Sequence, residues 1–168
     1  MGEELSIISF KRAVKYYLDK KILDSQFTSL NQLERNALLI IEPFCDKIIK
    51  DYKSDFDDMY NKLSKTDDIK NMNALAKIIK HNKPVLQKLT SLSFAAVLVY
   101  NLTKNNNLVD AQILSHYVAC DMSNYGEEIL HYLQQKKQLN NNKGFFTTTK
   151  FICCGIISAA LYYYLIIK

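Results

Sequence analysis

Along most of this chain, apolar positions recur every three to four residues. That is the period of helices that bury one face. From Glu4 to Leu23 the residues Ile7, Phe10, Val14, Tyr17 and Leu18 fall near one face, with Lys11, Lys15 and Asp19 opposite. From Leu30 to Tyr52 the repeat is Leu33, Ala37, Ile41, Cys45, Ile48 and Tyr52. Pro43 interrupts it, and either a kink or a restart with Pro43 in the first turn fits. Ser54 to Leu63 is a short acidic segment with Phe56, Met59, Tyr60 and Leu63 as its apolar positions. Asp67 and Asp68 suit the start of a helix over Ile69 to His81, whose apolar members are Met72, Leu75, Ala76, Ile78 and Ile79. No strand pattern and no internal repeat is visible.

Two stretches lack a polar face. The first runs from Pro84 to Leu102 and carries no charge between Leu89 and Tyr100. It is short for a membrane span, so an interior helix with others packed around it is expected. Ser93, Ala95 and Ala96 would let those neighbours approach closely. A polar loop follows, then two amphipathic helices over Leu108 to Met122 and Tyr125 to Gln138. The second stretch lies beyond the polar linker Asn140-Asn141-Asn142-Lys143-Gly144. It includes Phe145 and Phe146, and between Lys150 and Lys168 an apolar run from Phe151 to Ile167. As a helix that run is roughly 25 Å long, a little under the bilayer core, and flanking lysines extend its reach. The expectation is a membrane anchor presenting Phe151, Ile152, Ile156, Ile157, Leu161, Leu165 and Ile166. The division expected is residues 1–138 as a helical domain, 139–144 as a linker and 145–168 as the anchor.

Composition narrows the class. With 4 Gly and 2 Pro the chain lacks the turn residues an all-β fold requires. A net charge of +5 is too mild and too dispersed for nucleic-acid binding, which is not expected. The cations are 20 Lys and 2 Arg, beside 14 Asn and 17 Ile, which reads as codon bias from an AT-rich genome. The opening Met1-Gly2-Glu3-Glu4 is acidic, unlike a secretory signal, so a reducing cytosolic setting is expected for the body. Cys45 and Cys120 stand alone and Cys153-Cys154 lie in the apolar tail, so no disulfide framework or zinc spacing appears.

Chemistry is equally sparse. His81, His116 and His131 sit on separate elements without an HExxH or nucleophile-elbow pattern. His116 and Cys120 share a helical face, which suits a polar residue beside a small core residue. Glu127-Glu128 and Asp57-Asp58 are adjacent pairs whose side chains diverge on a helix, so they read as solvated faces. No phosphate-binding glycine loop is present. No enzyme activity, cofactor or metal is expected. An interaction protein remains, and one apolar surface stands out. Ile41, Cys45, Ile48 and Tyr52 form a stripe that Phe56 and Tyr60 continue. Leu75 and Ile79 offer a second wall, and Val85, Leu89 and Leu92 a floor. Such walls either close into a core or leave a groove for an amphipathic helix.

The segment Leu92-Ser93-Phe94-Ala95-Ala96-Val97-Leu98 resembles the central-helix Phe-Ser-Phe-Gly-Gly-Ala-Leu of cellular Bcl-2 survival proteins. The Asn-Trp-Gly-Arg signature of those proteins falls on Pro84, Val85, Leu86 and Gln87, and none of its four residues is kept. The chain is more similar to the divergent Bcl-2-like apoptosis inhibitors of poxviruses, myxoma virus among them. That likeness rests on Phe10-Lys11-Arg12-Ala13-Val14-Lys15-Tyr16-Tyr17-Leu18, the Ile69-Lys70-Asn71 start, the small-residue central helix, Leu133-Gln134-Gln135-Lys136-Lys137 and the hydrophobic tail.

The resemblance implies an all-α Bcl-2-like bundle around a central apolar helix, with a tail in the host outer mitochondrial membrane and the body facing the cytosol. The endoplasmic reticulum membrane also suits so short an anchor. It further implies a groove for the Bcl-2 homology 3 (BH3) helices of Bax, Bak and Bim, whose capture prevents cytochrome c release. In cellular members the signature Arg pairs with an Asp of that helix. Here Gln87 stands in its place and supplies no charge, so either Lys88 or Lys83 substitutes or the affinity comes from apolar anchors. The alternatives are a Bcl-2-fold poxviral inhibitor of innate NF-κB signalling with a filled groove, and an unrelated tail-anchored adaptor.

Overall fold

The computed structural model describes residues 2–22, 29–65 and 84–139, and its elements there are six helices with no strand. They are α1 (Gly2–Asp19), α2 (Gln32–Asp51), α3 (Lys53–Ser64), α4 (Val85–Lys104), α5 (Leu108–Ser123) and α6 (Gly126–Leu139). The expected helix over 69–81, the linker and the tail lie outside the described residues.

The central helix organises the rest. α4 is in contact with each of the other five helices, and thirteen of its residues, including Leu89, Leu92, Phe94, Ala95, Ala96, Leu98 and Val99, are buried. By length and composition α4 is one helix that could cross a membrane, which corrects the expectation that the segment is too short. Its burial on nearly every side fits the centre of a bundle instead. The buried hydroxyls on it are satisfied within the helix: Thr90, Ser93 and Thr103 donate to the carbonyls of Leu86, Leu89 and Val99 at 2.8–2.9 Å. Small polar residues therefore sit in the core without the penalty of unmade hydrogen bonds.

α1 lays Phe10, Ala13, Val14, Tyr17 and Leu18 into the core and packs on α5, α2, α6 and α4. Ser115 near the middle of α5 donates to Asp19 at the end of α1 at 2.6 Å, which ties these two helices together. Ile7, read as part of the buried face, is exposed, as is Ile8. The helix stops at Asp19 in a tight turn in which Lys21 and Ile22 donate to the carbonyls of Leu18 and Asp19, so it ends short of Leu23.

α2 begins with a capping box. Asn31 accepts from the Glu34 amide at 2.9 Å and Glu34 accepts from the Asn31 amide at 2.8 Å, which satisfies two of the orphan donors of a helix start. The helix then runs unbroken through Pro43. Pro43 lies between the buried Ile41 and Cys45 and is itself exposed, as is Leu39, whose carbonyl loses a donor to the ring. Solvent can serve that carbonyl, which is why no restart is needed. Leu33, expected on the buried stripe, points outward. Tyr52 alone separates α2 from α3, whose Phe56, Met59 and Leu63 are buried.

The hairpin between α4 and α5 turns on Asn106, whose φ is 61°. Asparagine tolerates that left-handed conformation better than most residues. α5 departs from the amphipathic expectation at its start, where Leu108, Val109 and Ile113 are exposed. Gly126 opens α6 at a point where an added Cβ would lie 2.8 Å from Cγ of the buried Phe10 ring. A side chain at position 126 would thus push α6 off α1.

Candidate functional site

α2, α3 and α4 bring most of the apolar stripe together. Ile41, Cys45, Ile48 and Tyr52 on α2, Phe56 on α3, and Leu89 and Leu92 on α4 all belong to one buried cluster. The Phe56 and Phe94 rings meet with centroids 5.5 Å apart. Each of these residues is buried in this structure. Leu75 and Ile79, the proposed second wall, lie outside the described residues, as does Lys83.

What stays accessible is the rim. Tyr60, Val85 and Gln87 are half-buried, and the Tyr60 hydroxyl accepts a hydrogen bond from the side-chain amide of Asn105 at 2.6 Å. Ile40 and Phe44, which the reading of the stripe passed over, pack against the core while remaining partly exposed. At 100° per residue they sit on one flank of the Ile41–Cys45 stripe. The opposite flank is tied to the end of α1: Lys20 pairs with Glu42, and Lys21 pairs with Asp46 at 3.0 Å. Tyr17 donates to the same Asp46 carboxylate at 3.0 Å. One flank of α2 is thus clamped by charges and the other is apolar.

The titrating groups here are tuned for packing. Burial, aided by the neighbouring charge of Asp46, pushes the Cys45 thiol up to about 12, although the Ser93 side chain beside it pulls the other way. A thiol held neutral makes a poor nucleophile. Burial, with Cys45 and Asp46 beside it, also raises the Tyr17 phenol far above its usual range. His116 Nε2 stands 3.5 Å from Cys120 Sγ on an exposed face. Among the described residues no group of three His, Cys, Asp or Glu side chains could hold a metal ion.

Lys88 lies elsewhere than expected of a free groove cation. Its side chain is 7% exposed, and its ammonium reaches α6, where it donates to Glu128 Oε2 at 2.6 Å. It also stands 3.8 Å from the centroid of the Tyr125 ring. Glu128, read as part of a solvated face, is exposed as expected and is also the partner of a buried cation. Asp57 likewise pairs with Lys53, at 2.5 Å, although that pair is exposed. A lysine in an apolar helix with a glutamate 40 residues on carries no local sequence signal, because only tertiary packing joins them.

The model of a family described as apoptosis regulators matches this chain over residues 11–168. The chain belongs to that family. An apoptosis regulator of deerpox virus is 26% identical over 129 residues, which cover 74% of this chain and 71% of that protein. Apoptosis regulators of vaccinia virus and variola virus are each 29% identical over 113 residues, or 65% of this chain. Those matches span 54% of one vaccinia protein and 47% of the variola one, so this chain corresponds to about half of their length. No solved structure matches. The poxviral resemblance read from the sequence is thus borne out at the level of the family.

Proposed function

We propose that this protein inhibits mitochondrial apoptosis by stoichiometric capture of BH3 helices from pro-death proteins such as Bax, Bak and Bim. Capture withholds them from pore formation and so prevents cytochrome c release. The observation that carries the reading is membership, over residues 11–168, of a family of apoptosis regulators. An all-helical bundle around one buried apolar helix agrees with a Bcl-2-like fold.

The proposed docking surface runs along α2, α3 and α4. Rim residues Ile40, Phe44, Tyr60, Val85 and Gln87 would meet an incoming helix first. Full docking on Ile41, Cys45, Ile48, Phe56, Leu89 and Leu92 requires a wall to move, because these are buried in the free chain. Part of the binding energy is then spent on opening, which weakens the apparent affinity by the population of the open form. The apolar segment 145–168 would hold the body at the outer mitochondrial membrane. Microscopy of the labelled full chain in host cells checks this: loss of mitochondrial targeting on removal of 145–168 is expected, and unchanged targeting would count against the anchor.

The test of capture is calorimetric titration of the chain ending at Gly144 with Bax, Bak and Bim BH3 peptides. Sub-micromolar 1:1 binding, about −8 kcal/mol or better, is the expected result. A folded body that binds none of them would remove the groove mechanism. The burial of Ile41, Cys45, Ile48, Tyr52, Phe56, Leu89 and Leu92 favours one second reading, a poxviral inhibitor of innate NF-κB signalling that keeps its interior filled and works through a surface face. Failure in the titration would turn the assignment to it.

A further inference from the structure

We propose that His116 and Cys120, on the outward face of α5, are half of a zinc site, and that the same pair from a second copy of this chain completes it. The inference is independent of the groove reading, because α5 packs chiefly on α1 and α4. His116 Nε2 stands 3.5 Å from Cys120 Sγ. In a tetrahedral zinc site, a thiolate at about 2.3 Å and an imidazole nitrogen at about 2.1 Å from the ion lie about 3.6 Å from each other. The pair is therefore spaced to chelate one ion without a change in the helix. Its members are one turn apart, so the α5 backbone sets that spacing. His116 is exposed and Cys120 partly so, which leaves the ion a path from solvent.

A structural zinc ion takes four ligands. Among the described residues no third His, Cys, Asp or Glu joins this pair. A twofold axis through the ion turns two ligands into four, because each copy then presents the same surface. Each thiol gives its proton to solvent as the metal binds. Two thiolates then cancel the charge of the dication while the imidazoles stay neutral, so no net charge is buried between the copies. The remainder of this face favours a protein partner. At 100° per residue, Val109, Ile113, His116 and Cys120 fall within an arc of about 60°. That arc lies opposite the buried Leu114, Val118 and Met122. Val109 is 66% exposed and Ile113 is 49% exposed. α5 is thus apolar on both sides, as in helices that are covered all round, and the apolar half of its uncovered stripe runs directly into the Cys–His pair. Copies that meet there bury Val109 and Ile113 beside the metal.

The experiment titrates the full chain in detergent micelles with cobalt(II), whose thiolate charge-transfer absorption and strong tetrahedral visible bands report a zinc-type site. The chain carries Cys153→Ser and Cys154→Ser to remove the tail thiols, and Cys45 is buried. The bands are expected to saturate at one cobalt per two chains, with light scattering showing two chains in each metal-loaded particle, and zinc should bleach them. His116→Gln and Cys120→Ser lie on the outward face, and far-UV circular dichroism checks that both keep their helices. Each is expected to weaken cobalt binding by more than the about 10–100-fold that loss of an outer-shell partner costs, and to leave single chains. Bands that survive in either folded variant would overturn the proposal. So would saturation at one cobalt per chain with the chains still single, or a folded protein that gives no thiolate band.

Discussion

Two carboxylate–cation pairs in this bundle each have one buried member, and they are built differently. At the start of α2, Glu34 is 1% exposed and saturated. It accepts from the backbone and side-chain amides of Asn31 at 2.8 and 2.9 Å and pairs with Arg12 at 2.8 Å. Arg12 in turn reaches the Ser29 carbonyl at 3.4 Å. Here the buried member is the anion, and most of its hydrogen bonds come from three residues away. Between α4 and α6 the buried member is the cation Lys88, and its carboxylate partner is distant in sequence and half in water. Buried charge that is locally saturated fixes a helix end and has nothing left to offer a ligand. The cation between α4 and α6 depends instead on a partner that water also reaches.

The largest way to break this contrast is at the saturated site. Glu34→Ala removes the carboxylate half of the capping box together with its ion pair to Arg12, and should cost about 2–4 kcal/mol of stability in urea unfolding. Glu34→Gln keeps an acceptor for the Asn31 amide and should lose about half as much. Equal losses from the two variants would mean that the charge, and not the cap, is what matters there. Next is Gly126→Ala, expected to cost about 1–3 kcal/mol through overpacking against Phe10. It also tests the second site, because α6 carries Glu128. A shift of α6 away from α1 should expose Tyr125, and a change in tyrosine fluorescence would report it.

How much of this was legible in the sequence follows the range of the interactions. Period-3.6 patterning located α2 to within a residue or two, because the core face of a helix is a local property. The same holds for α3, α5 and α6. The interior character of α4 followed from its lack of a polar face. The capping box was present as Asn31-x-x-Glu34 and could have been read, which would have placed the start of α2 after Leu30. The apolar stripe was legible as apolar, but whether it closes is a question of what lies against it. Ile41 and Leu89 prove to be core, while Ile40 and Phe44 form the rim. Leu33, Leu39 and Ile113 show the limit in reverse, since periodicity cannot tell a core side chain from an exposed neighbour beside the stripe. The Lys88–Glu128 pair was unreadable, because it joins residues 40 positions apart.

A smaller effect is expected from pH on the clamped side of α2. The Cys45 thiol is raised by burial from 9.0 to about 12, and the Tyr17 phenol moves in the same direction. Both groups bind their protons more tightly in the folded state. Their contribution is therefore complete below the ordinary pKa of each and is lost as pH rises past it. Urea midpoints should be flat from about pH 7 to 8 and fall as pH climbs from about 9 toward 11. Cys45→Ala should flatten part of that fall. If the midpoint falls as steeply without the thiol, the dependence comes from Tyr17 alone.

The smallest change in stability is expected at the half-exposed pair between α4 and α6. Lys88→Met keeps the apolar length of the side chain and removes the ammonium. Replacing a buried charge by a hydrophobic residue of similar shape is often neutral, and the abandoned Glu128 is half-exposed, so water can take over its solvation. The expected loss is about 1 kcal/mol or less, well under that of Glu34→Ala. A loss as large as that of Glu34→Ala would mean that the Lys88–Glu128 pair is a structural fastening like the Asn31–Glu34 cap, and the distinction between a saturated and a half-solvated pair would not hold in this bundle. A near-neutral change would keep the two pairs apart, since a structural fastening cannot be removed without cost.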